Sequence, residues 1–251
     1  MRALKLRARR LANIARTLGV VTYVDSDKAR DLNEAETEQY LADAGTWWNA
    51  VGLPRLANLT ADWLEGRALY LPAYGAASPD PETCEIIPVL AAANRAGLMT
   101  WVSQPGKTPR TGYDGWMWQQ LAAVSGFCDQ ATALSLYRAF TDAGLTVTIW
   151  QPGSRPHGRD HDIEATIRTD PDTGETWVNT VFGPPLTRRE IRQIYRGDLC
   201  PDAVKTLQGA WQVTIAETEY GRNDRVWKAL GEWAELRLGE VPIRTGRGER
   251  T

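Results

Sequence analysis

Residues 162–182, DIEATIRTDPDTGETWVNTVF, decide the fold. Two runs rich in β-branched and aromatic residues, 162–168 and 175–182, flank Asp170, Pro171, Asp172, Thr173 and Gly174. Branched and ring side chains suit a pleated surface, and Asp, Pro and Gly supply the turn, so the stretch predicts a β-hairpin. Working outward, residues 98–103 and 145–150 read as strands, each entered from a helix through a glycine stop, Gly97 and Gly144. Residues 211–216 form another strand. Helices and a hairpin arranged around strands of about six residues imply an α+β fold, a mixed β-sheet with helices packed on it.

The helices follow from caps and stops. Asn33 caps a helix over 33–50, after which Leu53 and Pro54 break the chain, and Asn58 or Thr60 caps a short helix ending at Gly66. Residues 72–81 are a loop. Asp80, Pro81 and Glu82 open a helix that runs to Gly97, with Pro88 kinking it or marking a second start. A helix is expected over 116–125, and a stronger one from Asp129 or Gln130 to Ala143 with Leu134, Tyr137, Ala139 and Phe140 inward. Thr187 caps residues 188–195, Pro201 opens a short helix, and residues 224–236 form the last.

The 251 residues are 43% hydrophobic and 24% charged, the composition of a chain that folds around a core without disulfide or metal staples. A net charge of −2 excludes a global attraction to nucleic acid or anionic lipid. Cys84, Cys128 and Cys200 are widely spaced and odd in number, which argues against a disulfide framework and a zinc site. The apolar runs are too short to span a bilayer, so the expectation is a cytoplasmic protein without membrane contact. Residues 1–56 read as a charged helical segment, 57–240 as the α+β domain and 241–251 as a disordered tail. Arg2, Lys5, Arg7, Arg9, Arg10 and Arg16 form a basic N-terminal helix, followed by an acidic stretch that invites intramolecular pairing.

Four places bear on function. Gly106, Lys107 and Thr108 resemble the end of a phosphate-binding loop, but the required first glycine is Trp101, so the motif fails. The strand-end loop still offers Ser103, Gln104 and Lys107 as ligand contacts, with Tyr113, Trp116 and Trp118 beside it for stacking on a flat ring. His157, Asp160 and His161 are the candidate catalytic set, a general acid/base pair for a hydrolase or transferase, against the plainer reading of a charged hairpin edge; no metal centre is assigned. Tyr220, Arg222, Asn223 and Asp224 precede a helix, where backbone amides and a guanidinium suit an anion.

Three blocks carry a family resemblance: residues 59–67 (LTADWLEGR), 86–106 (IIPVLAAANRAGLMTWVSQPG) and 210–230 (AWQVTIAETEYGRNDRVWKAL). Over residues 57–236 the chain resembles an uncharacterised domain-of-unknown-function family of actinobacteria, mainly Streptomyces, and their phages. Glu217, Thr218 and Glu219 depart from the family pattern, which has a proline after the acidic residue. The resemblance implies a bacterial or phage cytoplasmic protein and assigns no activity or cofactor. The leading expectation is a binding module in which loops 103–113 and 220–224 form a pocket for a small anionic or nucleotide-like ligand, in the setting of phage–host conflict. The alternatives are the enzyme using His157, Asp160 and His161, and a nucleic-acid or protein interaction module acting through the basic N-terminal helix.

Overall fold

The computed structural model describes residues 32–155, 159 and 161–239. The basic segment 2–16, the tail 241–251, and His157 and Asp160 lie outside the described residues. The described residues open with α1, Glu34–Trp48, started by a capping box in which the Asn33 side chain accepts from the Glu36 amide and the Glu36 carboxylate accepts from the Asn33 amide, both at 3.0 Å. Helix α2 is Leu53–Leu64. The expected break at Leu53 and Pro54 is instead its start, because a proline in the first turn withholds an amide that has no intrahelical acceptor. Thr60 is accordingly no cap; its hydroxyl donates to the Leu56 carbonyl at 3.1 Å. A 3-10 turn, Pro81–Ile86, leads into α3, Ile87–Arg95, so Pro88 marks a second start.

Four strands follow: β1 Met99–Gln104, β2 Lys107–Thr111, β3 Met117–Gln120 and β4 Ala123–Cys128. The helix expected over 116–125 is therefore β3 and the first half of β4. Its Gln, Leu and Ala residues over 119–123 are compatible with a helix locally, but tertiary pairing decides: a Cβ on Gly126 would lie 2.7 Å from the Met99 carbonyl oxygen, so glycine is what lets β4 sit against β1. Helix α4, Gln130–Asp142, is capped by Asp129 and buries Thr132, Ala133, Leu136 and Phe140. Tyr137 and Ala139, expected inward, are exposed, because the 133, 136, 140 spacing defines the buried stripe. The remaining elements are β5 Thr146–Trp150, β6 Ile163–Thr169, β7 Thr176–Phe182, α5 Arg188–Ile194, α6 Pro201–Gln208, β8 Trp211–Ala216 and α7 Arg225–Gly239. Thr187 caps α5 with Glu190 as its reciprocal partner.

The α+β class holds, with the strands divided between two four-stranded sheets, β1-β4-β8-β5 and β2-β3-β6-β7. Every pairing is antiparallel, a correction to the expected single mixed sheet. The reason lies in the connections: β1 runs straight on into β2, and β3 into β4, so residues 99–128 form one long hairpin that bends from the first sheet into the second. At the bend the buried Gln104 donates to the carbonyls of Leu121 (3.0 Å) and Ala165 (3.1 Å) and accepts from the Thr166 hydroxyl (3.2 Å).

The first sheet is the core. One face meets α2, α3, α4 and α7 through Trp63, Leu90, Val124, Leu136, Phe140, Ile215 and Leu230. A second cluster joins Trp47 of α1, Leu56, Met99, Phe127, Ile191 and Leu207. All six residues of β4 are buried. No gap in packing falls at residue 57: α2 runs through that position, and Trp47 is fully buried, its indole N–H donating to the Tyr70 carbonyl at 3.0 Å. The second sheet is joined to this body through a third cluster, Ala123, Ala165, Phe182 and Ala216, and projects beyond it; none of the residues of β2 or β3 is buried.

Candidate functional site

The projecting sheet presents a patterned face. Residues directly opposite on neighbouring antiparallel strands share a face. Arg110 of β2 is opposite Trp118 of β3, Trp118 opposite Arg168 of β6, and Arg168 opposite Trp177 of β7. An alternating row, Arg110–Trp118–Arg168–Trp177, thus crosses all four strands. With strands about 4.8 Å apart, it is about 14 Å long. A parallel row, Lys107–Gln120–Thr166–Thr180, lies next to it toward the core. A shallow cleft between them on the β2 side is lined by Lys107, Thr108, Arg110, Trp118, Gln120 and Thr166, with Gln119.

The row is held in place by the β2–β3 turn. The Gly112 amide donates to the Trp116 carbonyl at 2.8 Å, and Gly115 takes the left-handed φ of +80° that closes the loop. Asp114 in this loop accepts from the Trp118 indole N–H and the Trp116 amide, both at 3.2 Å, and faces the Arg168 guanidinium at 3.6 Å. The indole bond, aided by the Trp116 amide and Arg168, holds the Asp114 carboxyl below its ordinary range. Arg168 stacks over the Trp116 ring at 4.8 Å and the Trp118 ring at 5.8 Å. Its Nε is buried without a hydrogen-bond partner. Arg110 is exposed and has no ion pair among the described residues, and Trp177 is 51% exposed. Lys107 pairs with Glu82 of the 3-10 turn.

The residues singled out in the sequence fall in several places. Lys107 lines the cleft, and Tyr113 stands fully exposed at the tip of the β2–β3 turn. Ser103 lies within β1, opposite Val124. Gln104 is committed to the sheet junction by its three hydrogen bonds. The loops 103–113 and 220–224 do meet, but in direct packing: a Cβ on Gly106 would lie 2.4 Å from Asn223 Oδ1, and one on Gly221 3.4 Å from Pro109 Cδ. Tyr220 donates its hydroxyl to the Glu164 carbonyl, Arg222 pairs with Glu219 at 3.1 Å, and the Asp224 carbonyl accepts from the Lys228 amide at 2.9 Å. Upstream, the fully buried Glu217 carboxylate anchors this loop, bonded to Arg225 at 2.7 Å and to the Thr218 amide at 3.0 Å.

Of the candidate catalytic set, His157 and Asp160 lie outside the described residues. His161 sets its ring edge-on to Trp150, centroids 4.9 Å apart. Among the described residues no three His, Cys, Asp or Glu side chains are grouped to hold a metal, and no helix is long and apolar enough to cross a membrane. Cys84, Cys128 and Cys200 are unpaired, and burial pushes the Cys128 thiol up to about 12, which leaves it unreactive.

A family model for a domain of unknown function, DUF6919, matches residues 42–234. The chain belongs to the DUF6919 family. No curated protein matches the sequence. The DUF6919 match takes in α2 to β8 whole, and with them both sheets and every residue of the arginine–tryptophan row. Sequence reasoning named Trp116 and Trp118 but missed Arg110, Arg168 and Trp177. The signal for the last two was present: with the turn of 170–174 fixed, residues 168 and 177 fall opposite each other.

Proposed function

We propose that this protein binds a flat anionic ligand of the nucleotide class on the outer face of its second sheet. The observation that carries the reading is the row Arg110–Trp118–Arg168–Trp177, which places indole rings for stacking beside guanidinium groups for a phosphate. The ligand class is the one expected from the sequence; its seat is the sheet face, with Lys107 and Tyr113 at the margin. We place the protein in the cytoplasm of an actinobacterium or of a phage-infected host, sequestering a host nucleotide in phage–host conflict. The sequence resemblance and the three unpaired cysteines support that setting.

The test is a titration of the purified full chain with a panel of mononucleotides, followed by tryptophan fluorescence. Saturable quenching is expected, with Arg110→Ala and Trp177→Ala each weakening binding by about 5-fold to 100-fold, the worth of one stacked ring or charged contact. Absence of binding across the panel, or affinity unchanged in both variants, would falsify the reading.

A further inference from the structure

We infer that the occupant of this face is a short run of single-stranded nucleic acid lying across the four strands, a deepening that rests on the nucleotide-binding reading above. The length of the row is the first argument. Trp118 and Trp177 stand two strand spacings apart, about 9.6 Å, so one base can stack on only one of them and two rings call for two bases. The order of the row is the second. Each ring has a guanidinium beside it, so the row offers two places where a base can stack next to a cation, and the adjoining row Lys107–Gln120–Thr166–Thr180 is polar throughout. Openness is the third. Among the described residues β2 and β7 are the two edges of the sheet, so no strand described there walls either end of the row, and the exposed Arg110 and Trp177 sit at those ends.

Charge sets the path. Arg110, Arg168 and Lys107 face Asp114 and Glu82 here, and Arg110 alone of the three cations has no carboxylate partner among the described residues. Asp170, Asp172 and Glu175 at the β6–β7 turn add negative charge beyond the row, on the side away from the core. The phosphates therefore keep to the end of the row away from this turn, at the exposed Arg110, and the bases lie over Trp118 and Trp177. Ring faces recognise bases that are unstacked, which a duplex hides, so the surface selects single strands with little sequence preference.

The experiment measures binding of the full chain to thymidine monophosphate, to dT3, dT6 and rU6, and to a 12-base-pair duplex, at two salt concentrations. The six-mers are expected to bind at least about 10-fold tighter than the monophosphate and than the duplex, with log affinity falling against log salt at about −1.5 to −2, the release expected from two or three phosphates. A preference for dT6 or rU6 names the polymer and supports the proposal. Arg110→Glu and Trp177→Ala are each expected to weaken six-mer binding at least about 5-fold. If the monophosphate binds and the six-mers bind no tighter, the polymer inference falls and the nucleotide reading stands; if nothing binds, both fall. Duplex binding equal to that of the six-mers overturns the inference. So does six-mer binding that both variants leave unchanged, which would assign it to the basic segment 2–16.

Discussion

Gln104 illustrates how one side chain at a sheet junction takes on a structural task. Its amide bridges the Leu121 and Ala165 carbonyls and receives the Thr166 hydroxyl, at the point where the long hairpin bends. Replacing it with leucine leaves the Leu121 carbonyl and the Thr166 hydroxyl without these partners in a buried site. Gln104→Leu should therefore lower stability by about 2 kcal/mol, read as a shift of the urea midpoint. A midpoint that stays at the wild-type value would show that the bend does not depend on this network. Residues of the row behave differently: Arg110 and Trp177 are exposed, so their loss should alter binding and leave the midpoint nearly unchanged.

At the scale of the element, the β2–β3 turn is organised by a carboxylate. Asp114 accepts from Trp118 and Trp116 and faces Arg168, and its carboxyl titrates below the ordinary value. A depressed folded-state pKa means that the contribution of these contacts is present above about pH 3.9, the ordinary aspartate value, and is lost as pH falls through the lowered folded value. The Trp118 indole N–H resonance should accordingly hold its position through mildly acid pH and move only below that range. In Asp114→Asn the same step should vanish. A Trp118 resonance that titrates alike in both proteins would remove Asp114 from this role. The turn was legible only in part. Gly112, Tyr113 and Gly115 marked a loop, but Met117, Gln119, Gln120, Leu121 and the two alanines after it are good helix formers and fit a helix as well as a strand until β1 and β6 are brought alongside.

At the scale of the molecule, two clusters hold the seven helices of the described residues and the first sheet together, while a third, Ala123, Ala165, Phe182 and Ala216, ties the second sheet on by one end. Helix α1 belongs to this body. Trp47 is fully buried among Leu56, Phe127 and Leu207, so Trp47→Ala should cost about 3–5 kcal/mol of global stability, with α1 and the sheet unfolding in a single transition. A separate early transition for α1 in native-state hydrogen exchange, with the sheet unaffected, would show that the helix is an independent attachment. Trp48, its neighbour, is 46% exposed, so two adjacent and identical side chains differ in role through the helical rotation between them.

By itself the sequence determined the local pieces: the capped helices at Asn33, Asp129 and Thr187, the strands over 98–103, 145–150 and 211–216, the hairpin around Asp170 to Gly174, and hence the α+β class. Caps, turns and periodicity act within a few residues, so their physics is written in neighbouring positions. The tertiary structure alone decided which strands share a sheet. Trp118 and Arg168 are fifty residues apart, and only the pairing of β3 with β6 sets one beside the other. The arginine–tryptophan row is a product of register across four strands, and register is fixed by long-range packing and by the bend at Gln104, which no short window of sequence contains.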